Sequence, residues 1–313
     1  MNKPTFGGVF SKEGKLKNPA KIYIDSLSSD ASKTTMRSYL KSAALMMGVT
    51  DIEEADWCRL RKHHIIDMTA SLAREGKSAA SINTFLAAIK GVCRECWDLG
   101  EMPLEEYMRI QSIKSKRVSP KLKGRELKPH EVIALIESLW KDGTAKGSRD
   151  AAIFAVAIGC GLRRKEISLI RTEEVDWEEG SILIHGKGNK ERTVYMPPET
   201  REILHEWVSE HRGWHPGPLF LRILKGDKII QEPLTAHAVN EIVRHHVLRL
   251  GLEKFTPHDM RRTFASWMLR DGHDLNTVKE ALGHSNVATT QKYDLRDLER
   301  LKQVSKTFTI LRD

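Results

Sequence analysis

Residues Ser181 to Met196 read SILIHGKGNKERTVYM. Two short β-branched runs, Ser181 to His185 and Arg192 to Met196, flank Gly186-Lys187-Gly188-Asn189-Lys190-Glu191, where glycine and asparagine tolerate positive φ. That pattern predicts a β-hairpin. The chain on either side carries the three-to-four spacing of helices, so the expected fold is mainly α with a small antiparallel β-sheet.

Upstream, Leu127 to Leu139 and Arg149 to Ile170 read as helices, the second passing through the tight Gly159-Cys160-Gly161. Downstream, the chain returns to helices from Pro198, interrupted by a turn-rich segment from Gly213 to Pro233. Thr256-Pro257 opens a helix with a capping residue and a proline at its first position. Phe264, Trp267, Met268 and Leu269 are its expected buried face. Asp274 to Leu282 predicts a shorter helix stopped by Gly283.

Further out, Lys33 to Tyr107 reads as several helices. One shows Met36, Tyr39, Leu40, Ala43, Ala44 and Met47 at helical spacing; another runs from Ile82 to Trp97, with Ser81 as cap and Gly100 as stop. The stretch between these halves, QSIKSKRVSPKLKGRELK over residues 111–128, holds seven basic residues, one acid and no apolar period. It reads as a basic linker. The expected organisation is therefore two domains: a helical bundle over 1–110, the linker over 111–128, and an α-rich domain with the small sheet over 129–313.

Composition narrows the partners. Of 313 residues, 40% are hydrophobic, enough for real cores, and no apolar run reaches the roughly 18 residues of a membrane span. The first ten residues lack a signal-peptide core, so the expected location is cytoplasmic. The net charge of +9 is uneven: residues 1–124 hold 21 Lys and Arg against 14 Asp and Glu, and residues 125–313 hold 30 against 28. A basic excess concentrated in one half favours a polyanion. Lys114, Lys116, Arg117, Lys121 and Lys123 of the linker are candidate phosphate contacts, though a solvated tether would look the same. The segments Ser78 to Asn83 and Thr235 to Arg249 are candidate base readers.

Metal binding finds little support. Cys93 and Cys96 form a C-x-x-C with no second pair and read as buried helix cysteines. His211 with His215, and His245 beside His246, lack further ligands at suitable spacing.

Individually, the residues that could carry chemistry are unexceptional. His258 and Arg261 lie three apart, on one helical face, and a guanidinium fork beside an imidazole suits an oxyanion. Arg163 follows Gly161-Leu162, with Glu166 one turn on, which gives either a surface ion pair or a phosphate-binding arginine oriented by a carboxylate. Lys187 begins the hairpin turn, a place from which a general acid could reach inward. His284 follows Gly283, and Tyr293 lies nine residues later in a polar run.

In sequence order these elements become specific. G-L-R-x-x-E at Gly161 to Glu166, G-K-G-N-K-E-R at Gly186 to Arg192, H-x-x-R at His258 to Arg261, L-G-H at Leu282 to His284, and Tyr293 resemble the boxes of the tyrosine recombinase, or phage integrase, family, with spacings similar to its compact Xer-type bacterial members. The resemblance spans nearly all of residues 125–313 and extends more loosely to the N-terminal half as a core-binding domain. It implies catalytic roles for Arg163, Lys187, His258, Arg261, His284 and Tyr293, with Glu166 in support. Lys187 rather than Lys190 matches the family's lysine, and Arg262 stands where many relatives have histidine.

The implied activity is site-specific recombination of double-stranded DNA through a 3′-phosphotyrosyl intermediate, with no cofactor, metal or ATP. Implied partners are a specific DNA site, a homo-tetramer joined by exchange of an amphipathic tail from about residue 296 (Leu298, Leu301, Val304, Phe308, Ile310, Leu311), and accessory DNA-bending proteins. A tail folded on its own domain is the simpler alternative. Two other functions remain to be separated from this one: a type IB topoisomerase and a non-catalytic DNA-binding regulator on the same fold.

Overall fold

A computed structural model of the chain describes residues 18–117, 124–186 and 191–284. They fall into two compact units that divide between Pro120 and Lys121.

The N-terminal unit is a helical bundle of α1 (Pro19–Ser26), α2 (Asp30–Met46), α3 (Lys62–Arg74), α4 (Ala79–Asp98) and α5 (Leu104–Gln111). Helix α4 is its centre: Ile82, Phe85, Leu86, Ile89, Val92, Cys93 and Cys96 are buried, and the other four helices pack around it. The cysteines of the C-x-x-C are thus core residues, and burial pushes the Cys93 thiol up to about 12. The cap of α4 is Ser78 rather than Ser81; its hydroxyl accepts from the Ser81 amide at 3.2 Å. A serine three residues into a helix cannot cap it, because the orphan amides lie at the N2 and N3 positions.

The C-terminal unit is built on α7 (Ala145–Gly159), which is buried on every side from Gly147 to Ile158. Such a helix must be enclosed. Around it stand α6 (Pro129–Trp140), α8 (Arg164–Leu169), α9 (Pro198–Glu206) and α11 (Pro257–Arg270), while α10 (Ala236–Arg249) packs on α8 and α11 and α12 (Leu275–Leu282) on α11. Strands β1 (Val175–Asp176), β2 (Ser181–His185) and β3 (Glu191–Tyr195) form an antiparallel meander with Ile184 opposite Arg192. The turn-rich segment contains a second hairpin, β4 (Leu221–Leu224) with β5 (Lys228–Pro233). Its pattern is weak because only Leu221 of those strands is buried.

The predicted helix from Arg149 to Ile170 is broken into α7 and α8. Gly161 adopts φ +61°, and a Cβ there would lie 2.4 Å from the Phe264 ring. The break turns Arg163 and Glu166 towards α11. On α11 itself, Met260, Ala265 and Leu269 are fully buried, but so is Arg261, whereas Phe264, Trp267 and Met268 are only half-buried.

Both ends of the basic stretch are built into their own units. Lys90 donates to the Gln111 and Ile113 carbonyls, and Asn83 exchanges hydrogen bonds with the Lys116 backbone. At the other end Leu127 is buried in the C-terminal core, and Arg125 pairs with both Glu131 oxygens at 2.7 Å. Lys114, Lys116 and Arg117 are exposed; Lys121 and Lys123 lie outside the described residues.

Among the closely spaced histidines, His246 is a core residue whose Nε2 meets Asp150 at 2.9 Å, and His215 contacts Gln231. No described helix is long and apolar enough to cross a membrane.

Gly161→Ala is expected to destabilise the C-terminal unit by about 2–4 kcal/mol, from the left-handed backbone and the overpacked ring together. Urea unfolding of the variant measures it; an unchanged midpoint would show that the turn holds no such constraint.

Candidate active site

The break between α7 and α8 leaves Arg163 as the N-cap of α8 and Glu166 at its third position. A glutamate there reaches back to the capping residue's amide. Glu166 does so at 2.9 Å, and its other oxygen accepts from the Arg163 guanidinium at 2.6 Å. Arg192 on β3 then spans the same carboxylate with both terminal nitrogens, at 3.0 and 2.9 Å. Arg261, one turn into α11, completes the set at 3.8 Å. Three arginines from three elements thus share one carboxylate that is 5% exposed.

Their exposures differ in a way that matters for chemistry. The Arg163 side chain is 43% exposed, while those of Arg192 and Arg261 are 13% and 2%. Arg261 is braced from below, donating to the Gly161 carbonyl at 2.7 Å and to the Leu282 carbonyl at 2.5 Å. The second of these satisfies an orphan carbonyl at the end of α12, where helix polarity favours a cation. Gly283 ends that helix at φ +61°, and His284 follows, half-buried.

Glu166 is buried, which by itself would raise its pKa; the Arg192 guanidinium, the Arg163 amide and the Arg163 side chain overcome this and hold it at about 2. The opposite holds for the histidines. Burial, then the charges of Arg261, Arg163 and Arg192 and the neighbouring His258, lower His284 to about 4. His258, at the start of α11, is lowered by burial and by Arg262, Arg261 and Arg163, with Asp259 partly offsetting them. At neutral pH the site therefore combines permanent guanidinium charge with two uncharged imidazoles. Such a site can bind an oxyanion and still offer a proton acceptor.

Arg163, Glu166, His258, Arg261 and His284 come together as the sequence motifs imply. Lys187 and Tyr293 lie outside the described residues. The sequence motifs assign Arg192 no role, although it closes G-K-G-N-K-E-R; an arginine on a short strand signals nothing until its carboxylate partner is known.

The phage integrase family model matches residues 125–299, and that of the phage integrase N-terminal SAM-like domain matches residues 21–96. Tyrosine recombinase XerD of Listeria monocytogenes is 28% identical over 280 residues, covering 88% of this chain and 93% of that protein. Tyrosine recombinase XerC of Thermodesulfovibrio yellowstonii is 30% identical over 240 residues, covering 74% and 76%. Among solved structures, a lambda integrase dimer bound to a core site shares the fold with a TM-score of 0.66 at 15% identity, covering 88% of this chain and 92% of that chain. XerH bound to palindromic difH substrate in a post-cleavage complex does so with a TM-score of 0.61 at 24% identity, covering 88% and 78%.

Glu166→Gln is expected to cost about 3–5 kcal/mol at pH 7, because it leaves buried arginines without their counter-charge. Folding lowers this carboxyl's pKa, so its stabilisation is complete above the unfolded-state value of about 4.3 and is lost as the pH falls towards 2. Unfolding curves for the variant and the unaltered protein should therefore keep their separation from pH 7 to about 4.3 and converge below it; a gap that stays constant on further acidification would place the effect elsewhere.

Proposed function

We propose, from the premise that the chain belongs to the phage integrase family and is a tyrosine-type site-specific DNA recombinase, that Arg163, Arg261 and His284 hold the scissile phosphate while Tyr293 attacks it. The observation that carries this reading is the convergence of Arg163 and Arg261, 98 positions apart in sequence, on the single carboxylate of Glu166.

In the first step the Tyr293 oxygen bonds to phosphorus and the bond to the 5′-oxygen breaks, leaving a 3′-phosphotyrosine. The tyrosine proton passes to His258, which is uncharged at neutral pH and so can accept it. Lys187 gives a proton to the departing 5′-oxygen. In the second step the 5′-hydroxyl of another strand attacks the phosphotyrosine, and the proton transfers run in reverse. One phosphoester is exchanged for another throughout, so no ATP is consumed.

Negative charge grows on the non-bridging oxygens in the transition state. Arg163 meets it from the solvent side, and buried Arg261 supplies charge from beneath in a place where water screens it little. His284, kept neutral by burial and by these same arginines, donates an N–H to the phosphate without adding charge. Glu166 keeps the arginines placed before DNA arrives.

The partner is double-stranded DNA carrying a specific site, held by residues 1–110 and 129–313 with the basic stretch of 111–128 along the phosphates. Exposed Lys114, Lys116 and Arg117 support this role, and Lys121 and Lys123 add to the charge. Such contacts position the protein without reading sequence. The working assembly is a homo-tetramer in which the tail from about residue 296 is exchanged between copies; the apolar repeat Leu298, Leu301, Val304, Phe308 supports it. Accessory DNA-bending proteins and a place in the nucleoid follow from the same premise.

The test uses nicked duplexes tiled across the DNA that flanks the gene, with covalent protein–DNA adduct read on a denaturing gel. The unaltered protein should form an adduct and Tyr293→Phe should form none. Arg163→Ala should slow adduct formation by about 10²–10³-fold while leaving duplex binding in place. An adduct that persists in Tyr293→Phe, or none from the unaltered protein with any duplex, would sink the assignment.

A further inference from the structure

Helix α12 ends on two carbonyls, Ala281 and Leu282, and each is taken by an arginine. Arg261 donates to Leu282 at 2.5 Å and Arg192 donates through Nε to Ala281 at 3.1 Å. Those two arginines are also the buried members of the set around Glu166. The Arg192 side chain is fully engaged by this arrangement: its terminal nitrogens span the Glu166 carboxylate and its Nε holds α12. Gly283 closes over it, since a Cβ at that position would lie 2.9 Å from Arg192 Cδ. Two residues past Ala281 stands Gly283, and then His284.

We infer that Arg192 is a positioning residue for strand cleavage, fixing the Glu166 carboxylate on α8 and the His284-bearing end of α12 in one frame with strand β3. It rests on the recombinase reading and adds a residue that the reading does not use. Contact with DNA is not its role, because its side chain is mostly buried and its donors point inward.

Chemistry explains why the position needs arginine. One planar fork meets two carboxylate oxygens and, from its third nitrogen, a carbonyl on a different element. An ammonium is a point charge and cannot make the three bonds in one plane. Loss of Arg192 removes the first of the interactions that lower the Glu166 carboxyl and leaves the burial that raises it. The groups facing that carboxylate are then Arg163 from the head of α8 and Arg261 from α11, with His258 and His284 beyond them. The Cys160 thiol at the end of α7 also feels Arg192, but burial pushes it up to about 12, so it stays neutral.

The experiment compares full-length Arg192→Met and Arg192→Lys with the unaltered protein on whichever flanking-DNA nicked duplex gives the adduct. Four quantities are read: thermal unfolding, duplex affinity by fluorescence anisotropy, the rate of adduct formation, and that rate against pH. Arg192→Met is expected to bind the duplex as the unaltered protein does and to cleave about a hundredfold more slowly, as a small misplacement of catalytic groups does. Its pH profile should gain an acid limb near or above the ordinary glutamate value of about 4.3, absent from the unaltered protein. Arg192→Lys should recover part of the rate.

Cleavage by Arg192→Met at the unaltered rate overturns the inference. So does a slow rate accompanied by equal loss of folded protein and duplex binding, with no new acid limb in the fraction that folds. No adduct from the unaltered protein overturns the recombinase reading and this inference with it, whereas an adduct formed equally by both proteins overturns this inference alone.

Discussion

The Glu166 carboxylate is the point on which the C-terminal unit depends. Two guanidinium charges about 6 Å apart in a medium of effective dielectric about 20 repel by roughly 3 kcal/mol, and three of them compound the cost. A single anion among them reverses the sign locally and leaves a net positive cluster, already assembled, of a kind that suits an oxyanion. Burial first, and then the surrounding arginine charges, keep His258 and His284 uncharged. Binding capacity and proton-accepting capacity in the site thus both depend on enclosing the cluster.

The surrounding fold is arranged to keep that cluster rigid. Helix α7, enclosed on all sides, ends at a left-handed glycine whose carbonyl accepts from Arg261. Asp259, the third residue of α11, accepts from the amide of the capping Thr256 and also from the Arg125 amide, so the start of the C-terminal unit is tied to the helix that carries His258 and Arg261. Deeper in, Arg149 and His246 share Asp150, and Arg149 reaches the Leu221 carbonyl, joining α7, α10 and β4. Buried charge is tolerated in both places because it is paired and hydrogen-bonded. Sites supported in this way keep their geometry before the substrate binds.

The basic stretch between the units has a related logic. Its N-terminal end is held by Lys90 and Asn83 of α4, and its C-terminal end by the Arg125–Glu131 pair. Charged side chains at Lys114, Lys116 and Arg117 are left at the surface, while the backbone next to them is fixed. Fewer residues then lose freedom when a polyanion binds, which lowers the entropic cost of association.

Sequence by itself determined the helical character of both halves, the β2–β3 hairpin, the cap at Thr256, the stop at Gly283, and the family, because periodicity, turn chemistry and ordered motifs are local and survive in one dimension. It also singled out Arg163, Glu166, His258, Arg261 and His284 as candidates, each through a motif rather than through any property of its own. Tertiary structure alone decided the break at Gly161, whose left-handed backbone and close approach to the Phe264 ring leave no room for a side chain, and the β4–β5 hairpin, whose strands are too exposed to show an apolar alternation. It alone revealed Arg192. The partners of that side chain, Glu166 and Ala281, lie 26 and 89 residues away, and charge pairing across such distances leaves no trace in the local pattern of a chain.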